Sequence, residues 1–444
     1  MKEQISRREF IKLLLLAWGA SACRIPGLSS ETQTTTQPAP RAAQEHTPSI
    51  TSPSSGTPSQ TSQPATTPTA TPEATQTTTP TAISELNMIV DGHLDIAWNA
   101  LEFGRDFTQS ALSSRETEST NGLVRLIGNR TSGLPELIAG KIGVVFGSIF
   151  VMPANFAYPG RGSITYRTPE QAQTHAWAQL AYYHELSERS ENIQLISTKQ
   201  DLDVVLSGWQ ANNPNNGQKV GIVPMMEGAD PIITPGDVEK WFQFGLRGIG
   251  PAWHKTRYTG GTGEPGPLTQ LGHELLREMK DFNLILDLSH IAEEAYFQAL
   301  DSYSGPVIAS HSNPRTYLPT DRGLSEAMIQ EMAAHDGVIG VVLYNHYLAS
   351  SWQNGHPKSH VRLAVVVEVI DYIVQLLGTS RHVGIGSDFD GGFGSESIPL
   401  ELETAADLWQ LSELLLQRGY PQKSVHEILH GNWIRILNSS LPHK

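Results

Sequence analysis

The sequence predicts a (β/α)8 TIM barrel preceded by a disordered stalk, and three observations carry that prediction. Beyond residue 84, about 360 residues alternate short apolar runs with longer amphipathic stretches, the mark of strands and helices that take turns along an α/β chain. Eight such runs occur, which is the strand number of the barrel. Ionisable residues recur just past the C-terminal ends of these runs, where barrel enzymes place their chemistry. An open doubly wound sheet is the structural alternative, but no Gly-x-Gly-x-x-Gly follows the first run, which weakens its dinucleotide-binding form.

The chain opens with Arg7 and Arg8, then Phe10 and Lys12, then an apolar run over 13–22. That run is shorter than the ~20 residues a spanning helix needs, so residues 1–22 read as an export signal of twin-arginine type. Ala20-Ser21-Ala22 before Cys23 resembles a bacterial lipoprotein processing site, with Cys23 as the lipidated residue; Ala20 departs from the leucine expected there. Residues 23–84 read as a linker of Thr, Pro, Ser, Ala and Gln, which offers too little apolar surface to offset ordering entropy. Residues 85–444 form the barrel domain. Its strands are expected over 88–91, 142–150, 220–226, 246–250, 284–288, 307–310, 338–343 and 383–386. Its helices include 169–188, 268–281, 292–302, 325–335 and 363–377, each long enough to cross back over a strand pair.

Composition narrows the function. The 45 acidic against 31 basic residues leave a net charge of −14, the wrong sign for a phosphate-binding surface, so nucleic acid is excluded as a partner. Loss of residues 1–22 would make the chain more acidic still, leaving a membrane contact to the N-terminal lipid alone. The single cysteine rules out an intrachain disulfide and a thiolate metal cluster. Any metal must be held by His, Asp and Glu. The composition is compatible with a homo-oligomer.

The strand ends supply that ligand material. The first run ends in Asp91-Gly92-His93-Leu94-Asp95, where residues two apart share a side. The third ends in Glu227, the fifth in Asp287-Leu288-Ser289-His290, the sixth in Ser310-His311 and the eighth in Asp388-Phe389-Asp390. Three histidines and two or three carboxylates at one mouth make an N/O set suited to zinc or another divalent transition metal. Five or six ligands exceed one tetrahedral ion, whereas two ions with a shared carboxylate would use them all. Asp91, Asp287 and Asp390 are expected to be structural turn or capping residues.

These motifs, from Val90-Asp91-Gly92-His93-Leu94-Asp95 through Ser310-His311-Ser312 to Gly384-Ile385-Gly386-Ser387-Asp388-Phe389-Asp390-Gly391 and the Gly431-Asn432 turn, resemble the membrane (renal) dipeptidase family of the metal-dependent hydrolases. The resemblance implies two Zn2+ ions, with His93 and Asp95 on one, His290 and His311 on the other, and Glu227 as the bridge. It implies that a hydroxide shared by the metals cleaves a dipeptide, with Asp388 as general acid and base. Arg322 would grip the substrate's C-terminal carboxylate with its bidentate fork. The family's substrate-contacting Thr-His pair is here Ala252-Trp253-His254, so either His254 serves through a one-residue shift or Trp253 shapes the pocket.

The leading expectation is therefore an exported, membrane-tethered bacterial metallo-dipeptidase acting on a small peptide, with a D-residue at the C-terminal position among its candidate substrates. Another dinuclear amidohydrolase, acting on a lactam, cyclic amide or N-acyl amino acid, would keep the ligands and lose the need for Arg322. A solute-binding lipoprotein that retains metal without turnover would have no use for Asp388 as a base.

Overall fold

The computed structural model describes residues 86–158, 164–210 and 217–443. The export signal, Cys23 and the linker over 23–84 lie outside the described residues. Eight parallel strands close into a barrel: β1 (Ile89–Leu94), β2 (Ile142–Phe150), β3 (Val220–Glu227), β4 (Gly248–Gly250), β5 (Ile285–Asp287), β6 (Val307–Ala309), β7 (Val338–Val341) and β8 (Val383–Ile385). Neighbours in sequence are neighbours in space, and β8 closes on β1 through Asp91 and Ile385. The longest pairing is β2 on β3, from Val144 opposite Gly221 to Phe150 opposite Glu227. A short strand over Ile193–Leu195 pairs with the start of β3, on the edge that β4 uses further along.

Each strand is buried on both faces, which is why it is written as an apolar run rather than as an alternation. Outside lie helices that follow the strands, among them α1 (Ile96–Phe103), α2 (Pro169–Arg189), α3 (Gln270–Asp281), α4 (Glu293–Ser302), α5 (Glu326–Ala334) and α6 (Leu363–Leu377). Local chemistry sets their ends. Thr168, Thr269 and Ser325 accept hydrogen bonds from the first-turn N–H groups of α2, α3 and α5, and Gly378 at φ 69° ends α6 in a left-handed cap.

Alternate strand residues Val90, Val144, Phe146, Val223, Met225, Ile285, Ile308 and Val338 form one apolar cluster. That period of two places them on the inward face of the barrel. The cluster is completed by Trp433, Ile434, Ile436 and Leu437 of a late helix, α7 (Asn432–Ser440). The indole of Trp433 donates to the Ile385 carbonyl at 3.0 Å. A Cβ on Gly92 or Gly384 would stand 2.7 or 2.3 Å from that ring, so both strands need glycine where the tryptophan seats.

Candidate active site

The strand ends converge as the sequence indicates. β1 delivers His93 and leads into Asp95, β3 ends on Glu227, and the turns after β5, β6 and β8 carry His290, His311 and Asp388. Nε2 of His93 lies 3.5 Å from Oε2 of Glu227, 3.7 Å from Asp95 and 4.0 Å from Asp388. On the other side of the same carboxylate, Oε1 of Glu227 lies 3.3 Å from Nε2 of His290 and 3.5 Å from Nε2 of His311. Glu227 thus turns one oxygen to each of two ligand groups. Donor atoms of His93, Glu227 and His311, and separately of His93, Asp95 and Asp388, lie close enough together for each trio to hold one ion.

Electrostatics favour cations here. Burial raises the carboxyls of Glu227 to about 8 and Asp388 to about 7, each reinforced by the Asp95 charge. Burial opposes charge on His93 as well, yet Glu227, Asp95 and Asp388 together hold that imidazole at about 10. Burial and nearby positive charge push His290 and His311 well below the ordinary range, which leaves them as neutral donors. His93 is 3% exposed, and its Nε2 has no hydrogen-bond partner among the described residues. Neutral imidazoles, crowded carboxylates and an orphaned ring nitrogen fit a site for divalent metal.

The carboxylates assigned a structural part support this cluster from beneath. Oδ1 of Asp287 accepts from the Ser289 and Ser310 N–H groups, and Oδ2 accepts from the Ser310 hydroxyl. Asp91 accepts from the N–H and hydroxyl of Ser387. Asp390 accepts four hydrogen bonds from the backbones and hydroxyls of Thr131 and Ser132, and a fifth from Arg105. His290, Asp388 and Asp390 stand at φ 64°, 60° and 63°, a left-handed conformation that non-glycine residues adopt at a cost and that concentrates at functional sites.

Trp253 and His254 both line the cavity above the cluster. His254 stacks on Phe156 at 4.1 Å, and Trp253 meets Phe150 edge to face at 5.0 Å. Arg322, 5% exposed, donates to the Ser312 hydroxyl and the His311 carbonyl and lies over the Tyr347 ring, 5.7 Å from its centre. It is not paired with Asp321, whose carboxylate accepts from the Gly263 N–H instead. The Nε of Arg322 has no hydrogen-bond partner among the described residues. Sequence reasoning missed Tyr347, Tyr158 and Trp98, which line the same cavity of ≈ 200 Å³, and Ser148, whose hydroxyl donates to Asp95. Ser310 stood beside His311 in a motif already quoted and was the one legible signal.

A closed parallel barrel whose mouth gathers imidazoles and carboxylates around one shared carboxylate defines a metal-dependent hydrolase. Residues 79–441 match the family model for membrane dipeptidase, peptidase family M19, and the chain belongs to that family of metallo-dipeptidases. Among relatives, the "uncharacterized protein in pqqA 5′ region" of Klebsiella pneumoniae is 29% identical over 273 residues, covering 59% of this chain and 95% of the relative. Dipeptidase 3 of Mus musculus is 27% identical over 264 residues, 55% of this chain and 50% of its own length. A Rhodobacter sphaeroides metallopeptidase, solved with a phosphinate mimic of the dipeptide L-Ala-D-Ala, superposes with a TM-score of 0.62 over 80% of this chain and 99% of its own, at 21% identity. That likeness is one of fold. No helix of the described residues is long and apolar enough to cross a membrane.

Proposed function

We propose that the chain hydrolyses dipeptides with two zinc ions, one held by His93 and Asp95, the other by His290 and His311, with Glu227 between them. The observation that carries this reading is the two-sided use of Glu227, one oxygen 3.5 Å from His93 and the other 3.3 Å from His290. Bound there, the ions would supply an acidified water and polarise the scissile carbonyl. Asp388, with a carboxyl at about 7, is suited to take a proton near neutral pH and return it to the leaving amine. Arg322 holds the substrate's C-terminal carboxylate, its guanidinium being buried without an ion-paired carboxylate among the described residues. The backbone N–H of Asp388 donates to the His93 carbonyl at 3.3 Å, which ties the backbone under the base to that under the ligand.

The Rhodobacter sphaeroides complex supports including L,D-dipeptides among the substrates. We further read Arg7, Arg8 and Cys23 as directing export and lipid attachment, with 23–84 as the tether and 85–444 as the catalytic domain. The decisive experiment is a hydrolysis screen of L,L- and L,D-dipeptides on protein of measured metal content. Turnover of a dipeptide, with loss on chelation and return on zinc, is the expected result. Hydrolysis of lactams or N-acyl amino acids in the absence of any dipeptide turnover would transfer the chain's substrate class to the wider amidohydrolases.

A further inference from the structure

In a ring of eight strands, β2 and β6 stand diametrically opposite, four steps apart in either direction. Arg322 is pinned to the end of β6 by its bonds to His311 and Ser312. Across the mouth, Phe150 is the last residue of β2, flanked by Trp98 from α1, which follows β1, and by Trp253 from the turn after β4. Trp98 and Phe150 meet at 5.5 Å and 82°, and Phe150 and Trp253 at 5.0 Å and 60°, an edge-to-face chain that stiffens the wall. Met152 completes it, and all four residues line the cavity. Across the barrel, then, Arg322 is buried against the end of β6, outside the residues that line the cavity, and the aromatic wall stands at β2 in the same lining as Glu227 and Asp388.

We infer that the wall of Trp98, Phe150, Met152 and Trp253 is the specificity subsite for the side chain of the substrate's N-terminal residue and favours a large apolar or aromatic one. The inference rests on the dipeptidase reading and on Arg322 holding the C-terminal carboxylate. With that end fixed at β6 and the scissile amide over Glu227, the N-terminal residue is directed to β2. A leucine or phenylalanine side chain there leaves water for an apolar surface. Glycine leaves the wall uncovered. Aspartate must shed its hydration beside apolar rings, close to the carboxylates of the ligand cluster.

The test uses the full chain with its metals loaded and compares Gly-Ala, Asp-Ala, Leu-Ala and Phe-Ala with the reversed series Ala-Gly, Ala-Asp, Ala-Leu and Ala-Phe. The expected kcat/KM for Leu-Ala and Phe-Ala exceeds that for Gly-Ala by about tenfold to a hundredfold, the scale set by burial of a large apolar side chain, and the reversed series spans less. Asp-Ala falls below Gly-Ala. Binding of phosphinate mimics of Gly-Ala and Phe-Ala, measured by calorimetry, should follow the same order. A flat series, or Gly-Ala equal to Phe-Ala, overturns the subsite and leaves the dipeptidase reading standing; no turnover of any dipeptide by metal-loaded protein overturns both. In Phe150→Leu and, separately, Met152→Ala, the Phe-Ala to Gly-Ala ratio should shrink with metal content unchanged. An undiminished ratio in both folded variants would remove this wall from the assignment. The wild-type series decides the preference even where a variant fails to fold.

Discussion

The Ser310 hydroxyl stands 2.8 Å from Nδ1 of His311 and donates its own proton to Asp287 at 2.5 Å. A hydroxyl that donates to a carboxylate accepts on its other side, so Nδ1 carries the proton and Nε2 turns its lone pair towards Glu227. The relay fixes the tautomer of an expected ligand before any ion arrives. Ser310→Ala should therefore weaken metal affinity by about 10- to 100-fold, the range for loss of such an outer partner, with the barrel intact. Competition with a chelator of known affinity checks it, and unchanged affinity would reduce the relay to packing.

Stoichiometry follows from Glu227. If one oxygen serves each ion, the protein binds two equivalents of divalent metal, and Glu227→Gln loosens both, whereas His290→Ala or His93→Ala acts mainly on one. Elemental analysis after dialysis should show the larger loss for Glu227→Gln. One equivalent accompanied by full activity would eliminate the paired site.

Asp388→Asn keeps shape and hydrogen-bonding reach but abolishes the base. Both metals should remain while kcat falls by roughly 10² to 10⁴. Metal loss in parallel with activity would instead place Asp388 among the ligands, an arrangement its distance of 4.0 Å from His93 Nε2 makes worth measuring.

Metal uptake should release protons. In the metal-free protein burial raises Glu227, and the neighbouring carboxylates raise His93, so at pH 7 this coupled pair retains protons that coordination must displace. Because these values are raised, protons compete with metal throughout pH 6 to 8, and apparent affinity strengthens as pH rises. Calorimetry in two buffers of different ionisation enthalpy should register a net release of protons at pH 7. Buffer-independent heats would contradict it.

Arg322→Ala should lower kcat/KM for dipeptides by roughly tenfold to a hundredfold, the loss of a charge-assisted contact of about 1.5–3 kcal/mol. An amidated substrate lacks the partner carboxylate and should be nearly indifferent to the substitution. Equal losses on free and amidated dipeptides would show that Arg322 serves the fold through Ser312 and the His311 carbonyl.

Much of the barrel was legible because a strand buried on both faces is a run of Val, Ile and Leu with few interruptions, and each of the eight runs coincides with a barrel strand. The mouth was legible for a related reason: a charged or imidazole side chain at the end of such a run stands out against its neighbours. Apolar cavity walls carry no such contrast. Trp98 sits in Ile96-Ala97-Trp98-Asn99, which reads as helix core, and Tyr347 lies in the four-residue helix Asn345–Leu348, too brief to show a period. The part of Asp390 as a clamp on Thr131 and Ser132 depends on residues some 258 positions away, a distance no local pattern encodes. The strand Ile193–Leu195 is too short to rise above its flanking helices.

The seating of Trp433 also sets an order in time. β1 is among the first parts of the barrel to leave the ribosome, yet its hydrogen-bonding neighbour β8 is made roughly 290 residues later and the indole that packs on Gly92 roughly 340 residues later, so the barrel's closure waits on very distant contacts. A nascent chain stopped before β8 has an open seam, and one stopped before α7 has an unfilled hollow, where the inward Val90, Val144 and Phe146 stay available to other chains. Folding is thus deferred until α7 has been made, and a chain truncated within α7 should meet the cell's proteases before it ever gains a metal.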